Sequence, residues 1–116
     1  MRKIVKREYD KNGNLIYIEY SNGEWAKYKY RKGFRIYYED NYGNWSKIKY
    51  NNKGNEIYYE TNDGYWEKSK YDNKGNEIYY KTSSGYWEKS QYNKNGRLTY
   101  FEDSTEYKTG TPRTKK

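Results

Sequence analysis

Along almost the whole chain, runs of six or seven residues alternate Tyr, Ile, Trp or Thr with Lys, Glu or Ser. Pairs such as Asn12-Gly13, Asn22-Gly23, Lys53-Gly54, Asp63-Gly64 and Asn95-Gly96 separate the runs. A period of two is the mark of a strand with one face half-buried, and no window carries the 3.6-residue period of a helix. The glycine pairs supply the φ > 0 residue that a tight hairpin turn needs. One series of glycines falls at Gly13, Gly33, Gly54, Gly75 and Gly96, and a second at Gly23, Gly43, Gly64 and Gly85. Trp25, Trp45, Trp66 and Trp87 sit two residues beyond the second series, and the steps are 20, 21 and 21 residues in each, with one more step of 21 in the first glycine series. The chain is a tandem array with two strands per repeat.

This pattern predicts an all-β fold, an antiparallel meander of about ten strands built from ~21-residue β-hairpin repeats. The repeats run over about 9–30, 31–50, 51–71, 72–92 and a degenerate 93–107, in one domain spanning 1–107. Glu106 and Lys108 stand where Gly and Trp are due, and Ile4 where a Trp is due, so both ends read as atypical capping units. Residues 108–116 read as a basic flexible tail. An odd repeat length also requires an odd register shift once per repeat if equivalent side chains are to share a face. Two-residue turns of the Asn12-Gly13 kind and three-residue turns of the Asp63-Gly64 kind would supply it. Ile57, Tyr59, Thr61, Ser69 and Tyr71 would then form an inward face, with Glu56, Tyr58, Glu60, Trp66, Lys68 and Lys70 on the other.

Composition sharpens the picture. Mean hydropathy is −1.67, a value typical of disorder, yet 22% of residues are aromatic, including 19 Tyr and 4 Trp. Tyr buries a ring while keeping its hydroxyl wet, so a folded but thin protein is expected. The net charge is +8. Arg2, Lys3, Lys6 and Arg7 at one end, with Lys108, Arg113, Lys115 and Lys116 at the other, account for all of it, so the repeat body sums to zero. Any nucleic-acid binding is therefore expected to depend on those eight terminal residues. No apolar run approaches a bilayer-spanning length, and the first residues lack the apolar stretch of a secretory signal, so a soluble chain in a bacterial cytoplasm with no membrane partner is the expectation.

The stretches Tyr9-Asp-Lys-Asn-Gly-Asn-Leu-Ile16 and Tyr71-Asp-Asn-Lys-Gly-Asn-Glu-Ile78 resemble the YD repeats of RHS-type toxins and adhesins, where β-hairpin repeats wind into a shell. The likeness covers residues 9–103. Tyr50-Asn51 and Tyr92-Asn93 lack the Asp, and Tyr30-Arg31 departs further. The chain is too short to build the closed shell and is more similar to small Tyr/Lys/Asn-rich YD-like proteins of AT-rich bacteria and their phages. A looser likeness exists to the aromatic/Gly repeats of cell-wall-binding modules.

With no His and no Cys, Ser–His triads, Cys–His dyads and His-ligated metals are ruled out, and no enzyme activity, cofactor or metal is expected. The column Glu19, Glu39, Glu60, Glu102, interrupted by Lys81, reads as a cross-strand charge ladder rather than as acid/base machinery. Asp72-Asn-Lys-Gly-Asn76 reads as a turn, since it lacks the ligand spacing of a calcium loop. The aromatic rows carry both the packing demand and the binding potential. The expected function is a non-catalytic binding module whose surface combines Tyr37, Trp45, Lys47, Tyr58, Trp66, Lys68, Tyr79, Trp87 and Lys89. A protein partner is favoured, in concrete form a host-defence enzyme inhibited by an anti-CRISPR-like phage protein. RNA or DNA held by the basic ends and stacking aromatics is the alternative, and a cell-wall glycan the next.

Overall fold

The structure is a computed structural model that describes residues 2–112. Eleven strands follow in order: β1 (Ile4–Tyr9), β2 (Leu15–Tyr20), β3 (Trp25–Arg31), β4 (Phe34–Asp40), β5 (Trp45–Tyr50), β6 (Glu56–Thr61), β7 (Trp66–Tyr71), β8 (Glu77–Thr82), β9 (Trp87–Tyr92), β10 (Leu98–Asp103) and β11 (Lys108–Gly110). Each pairs antiparallel with the next, so spatial order equals chain order in one open sheet of 60 × 30 × 23 Å. The long dimension follows from eleven strands spaced about 4.8 Å apart.

The all-β meander matches the alternation, with one strand more than the ten expected. Lys108–Gly110, assigned to a flexible tail from sequence, instead pairs with Tyr100, Phe101 and Glu102 of β10. The degenerate turn still closes, because the Asp103 N–H donates to the Tyr107 carbonyl and the Glu106 N–H to the Asp103 carbonyl. Glu106 takes the glycine's place with φ 74°. Residues 113–116 of the expected tail lie outside the described residues.

The turns differ from expectation in a way that explains the repeat length. Asp10, Tyr20, Asp40, Asn51, Thr61, Asp72, Thr82 and Asn93 each donate an N–H to the carbonyl four residues on. Each also accepts on its own carbonyl from the glycine three residues on. Both kinds of turn are thus three-residue loops with glycine in the left-handed region. The exception joins β3 to β4, where Lys32 (φ 53°) and Gly33 (φ 83°) form a two-residue turn. That missing residue is the 20-residue step in the sequence. Asp10, Asn51, Asp72 and Asn93 cap their turns through Oδ1, each accepting N–H bonds from residues two and four ahead at 2.9–3.0 Å. The capping role asks only for an acceptor oxygen, so Asn serves as well as Asp and the Tyr-Asp signature can lapse without consequence.

Since both turn kinds are alike, the odd register shift comes from elsewhere. In each repeat the ladder skips one residue of the even-numbered strand: Ile16, Ile36, Ile57, Ile78 and Thr99. These are β-bulges, which place two residues against one and increase the local twist. Ile57 and Ile78 line the same hollow as Tyr58, Lys68, Tyr79 and Lys81, while Glu56 pairs with Tyr50 on the opposite face. The bulge therefore exchanges Ile57 and Glu56 between the two expected faces. The remaining assignments hold: Tyr58, Glu60, Trp66, Lys68 and Lys70 lie on one face, and Tyr59, Thr61 and Ser69 on the other.

Among the described residues, no second layer covers either face. The most buried residues, Ile18, Ala26, Ile48, Ser46 and Thr82, share the face opposite the Trp row, with Tyr100 the exception. Small residues there let the tyrosine rings of neighbouring strands close over them. Tyr28 and Tyr38 meet at 5.5 Å, and Tyr80 and Tyr86 at 6.4 Å. Successive repeats are also stitched through backbone. The N–H groups of Trp25, Trp45, Trp66 and Trp87 donate to Asn41 Oδ1, Asn62 Oδ1, Ser83 Oγ and Ser104 Oγ at 2.9–3.2 Å. Each turn residue returns its own N–H to the carbonyl of the same tryptophan. A single-layer array needs such nearest-neighbour ties, because each repeat touches only the repeats beside it.

Candidate functional site

Register places the nine predicted binding residues on one face. Tyr37 pairs with Lys47, Tyr58 with Lys68 and Tyr79 with Lys89, while Trp45, Trp66 and Trp87 lie across from Glu39, Glu60 and Lys81. Following the pairing across strands gives slanted rows with one order. Lys29, Tyr37, Lys47, Glu60 and Trp66 form one row on β3 to β7. Lys49, Tyr58, Lys68, Lys81 and Trp87 form the next on β5 to β9. A third, on β7 to β11, runs Lys70, Tyr79, Lys89, Glu102 and Lys108. Each row is displaced from the last by one hairpin.

The lysines of these rows lie over rings rather than against carboxylates. Lys27, Lys47, Lys68 and Lys89 place Nζ 4.9–5.1 Å from the centroids of Trp25, Trp45, Trp66 and Trp87. Lys29, Lys49 and Lys70 lie 5.2–5.6 Å from Tyr37, Tyr58 and Tyr79. The quadrupole of the ring face holds the ammonium while leaving its N–H groups in water. The carboxylates of the face are engaged by phenols instead. Tyr17, Tyr37, Tyr58 and Tyr100 donate their hydroxyls to Glu19, Glu39, Glu60 and Glu102 at 2.9–3.3 Å. Those bonds raise the pKa of Tyr17 and Tyr100, and burial followed by the glutamate charge raises that of Tyr37 and Tyr58. All four phenols stay neutral donors at physiological pH.

Register also sorts charge by face. Among the described strand residues, the Trp-bearing face holds Arg31 and ten lysines, Lys6, Lys27, Lys29, Lys47, Lys49, Lys68, Lys70, Lys81, Lys89 and Lys108. Against these cations stand five glutamates, Glu8, Glu19, Glu39, Glu60 and Glu102. The other face carries Arg7 and Arg35 against Asp40, Glu56, Glu67, Glu77, Glu88 and Asp103. The zero sum of the repeat body conceals a positive face and a negative one. On the negative face, Tyr65 and Tyr86 donate to Glu67 and Glu88, both at 2.7 Å. The latter bond pushes Tyr86 up to about 12.

The terminal basic residues proposed for nucleic acid are dispersed and partly engaged. Arg2 bridges Glu24 at 2.6 Å and lies 3.9 Å from the Tyr20 ring centroid, and Lys6 bridges Glu8 at 3.0 Å. The Glu24 carboxyl, accepting from Tyr42 and then Arg2, is held down to about 2. Lys3 meets Ser21 through its backbone. Arg7 points to the negative face and Lys108 pairs across from Glu102. Arg113, Lys115 and Lys116 lie outside the described residues. Among the described residues, the terminal cations do not converge into one patch. Of the lysines that do converge, sequence reasoning placed Lys68 and Lys70 on this face but did not carry Lys29, Lys49, Lys70 or Lys81 into the binding set. The repeated Trp-x-Lys-x-Lys of β3, β5 and β7 was their signal.

No family model matches the chain, and no curated protein matches it. Solved structures do. The chain superposes on a chain of the TcdB2-TccC3-TEV crystal structure with a TM-score of 0.70 at 16% identity, covering 92% of this chain. The same values describe its match to a Tc holotoxin pore of Photorhabdus luminescens carrying a TccC3 mutation. In both, the chain spans 7% of the larger chain's length. The likeness is one of fold.

Proposed function

We propose that the chain is a non-catalytic binding module whose working surface is the Lys/Tyr/Trp face, and that its partner is extended and anionic. The observation that carries this reading is the segregation of ten lysines on that face, eight of them placed over aromatic rings. Rings that pre-order an ammonium lower the entropy lost when it meets an anion. A protein partner with an acidic surface fits the aromatic hot-spot chemistry. An inhibitor of a host-defence enzyme is one form this function would take.

Heparin, a simple polyanion, tests the face against the ends. Lys47, Lys68 and Lys89 changed together to Gln should lower the salt concentration of elution sharply, with the circular dichroism spectrum unchanged. Truncation after Pro112 should change it little. If elution instead follows the truncation and ignores the triple variant, the terminal residues carry the binding and the face reading fails.

A further inference from the structure

One place breaks the repeat on both of its strands. Where the first, third and fourth repeats put Asn14, Asn55 and Asn76 after the turn glycine, the second repeat has Phe34, and its turn is the shortened Lys32-Gly33. Phe34 packs against the Tyr50 ring at 5.0 Å between centroids, and its ring tip lies over Gly54. A Cβ at Gly54 would come within 2.9 Å of Phe34 Cζ, so this glycine is needed for the approach as well as for its φ of +86°. Ile36 and Ile57 complete the apolar floor of a hollow of about 690 Å³. That size falls in the ordinary range of small-ligand sites.

The rim has the opposite character. Lys29, Arg31, Lys32, Lys47 and Lys49 line it, and among the described residues no carboxylate does. The ion pairs formed by other basic residues, Arg2 with Glu24 and Lys6 with Glu8, lie elsewhere in the sheet. A flat apolar body carrying an anion fits the exposed Phe34 ring, backed by the half-buried Tyr50 and surrounded by five cations. The slanted lysine rows of β3 to β7 lead directly away from it. Resting on the anionic-partner reading above, we infer that this hollow is a nucleotide site. The base stacks on the Phe34 and Tyr50 rings, and its phosphate meets Lys29, Arg31, Lys32, Lys47 and Lys49. The nucleotide comes either free or as one unit of a single strand that continues along the lysine rows.

The test uses the full chain and two probes, uridine monophosphate and an oligouridylate of about 12 nucleotides, a length within the site size of one single-strand-binding domain. Binding is followed by calorimetry and by shifts of backbone amide resonances. Phe34→Asn restores the residue of the first, third and fourth repeats, and Lys32→Asn gives an Asn-Gly turn, so both variants retain the fold. The expected result is shifts at Gly33, Phe34 and Gly54, with a loss of about tenfold or more in affinity for Phe34→Asn, the amount one stacked base contributes. Equal binding of both probes marks a free nucleotide as the ligand, and binding of the oligomer alone marks a unit of a strand. If the oligomer binds but its shifts centre on Trp66 and Trp87, and Phe34→Asn binds as tightly as the parent, the hollow is not the site while the face reading stands. If neither probe binds at low salt although heparin is retained by the lysine face, the nucleotide inference is wrong and an acidic protein takes its place.

Discussion

Trp66 serves both the sheet and its proposed surface, so truncating it separates the two roles. A tryptophan buries 150–250 Å² in a folded protein. Here the ring is half-buried, which leaves about 100–150 Å² removed from water, or ~3 kcal/mol at ~25 cal/mol/Å². The Lys68 ammonium, 4.9 Å from the centroid, adds about 0.5–1 kcal/mol. Trp66→Ala is therefore expected to cost ~3–4 kcal/mol. Against the ~5–15 kcal/mol total of an ordinary domain, that is a quarter or more of the stability. Urea unfolding followed by far-UV circular dichroism would show the midpoint falling accordingly with its slope preserved. Trp66→Phe, which keeps most of the apolar area, should lose less than half as much. A Trp66→Ala protein that unfolds within ~0.5 kcal/mol of the parent would refute this reasoning. The ring would then lie on the sheet without supporting it, and the row would exist for a partner alone.

Other expectations follow from the turns and the charge rows. Lys32 and Glu106 occupy the left-handed region at φ 53° and 74°, a conformation costing ~1–2 kcal/mol for a residue with a Cβ. Lys32→Asn and Glu106→Gly should each raise stability by ~0.5–1 kcal/mol, seen as a higher melting temperature; a lower one would show that the wild-type side chain is needed there. Backbone N–H bonds from Asn14 and Asn76 hold the Asp10 and Asp72 carboxyls below the usual carboxylate range. A lowered folded-state pKa contributes stability above the unfolded value and loses it as pH falls through the folded one. Melting temperature should then be flat from about pH 8 to 5 and fall below about pH 4. Asp72→Asn should melt like the parent at neutral pH and respond less to acid, as expected if Asn51 and Asn93 already cap without charge; an unchanged acid response would refute this. Lys81→Glu restores the glutamate of the other repeats, so it should leave the fold intact and flatten the salt dependence of heparin elution; an unchanged salt slope would place the contact elsewhere.

Much of this architecture is legible in the alternation itself. Trp66, Lys68 and Lys70 share parity, and so do Tyr58 and Glu60, so their common face can be read from spacing once the strands are known. The bulge at Ile57 cannot be read this way. A bulge is a property of two strands in register, and Glu-Ile-Tyr-Tyr on one strand fits either face until its partner Lys49-Tyr50 is aligned. The length of the Asn12-Gly13 kind of turn escapes for a related reason, since Asn-Gly is compatible with a loop of two or of three residues, whereas the three-residue loop expected at Asp63-Gly64 is the one found. The opposed charges of the two faces were hidden by summing over sequence a quantity that matters per surface. The hollow at Phe34 left a trace that only a comparison between repeats exposes, an aromatic ring and a one-residue deletion at the same turn.

The bulge also governs how such an array can change. A repeat of 21 residues with one residue looped out of the ladder behaves, for the purpose of facing, as an even number. Whole repeats can thus be gained or lost while every lysine, tyrosine and tryptophan keeps its side. The shortened turn at Lys32-Gly33 shows that a single residue can also be lost where the loop, rather than the ladder, absorbs it. Length and local pocket shape are free to vary under these rules, and the polarity of the two faces is not. The sheet is a ruler whose markings stay on one edge however long it is cut.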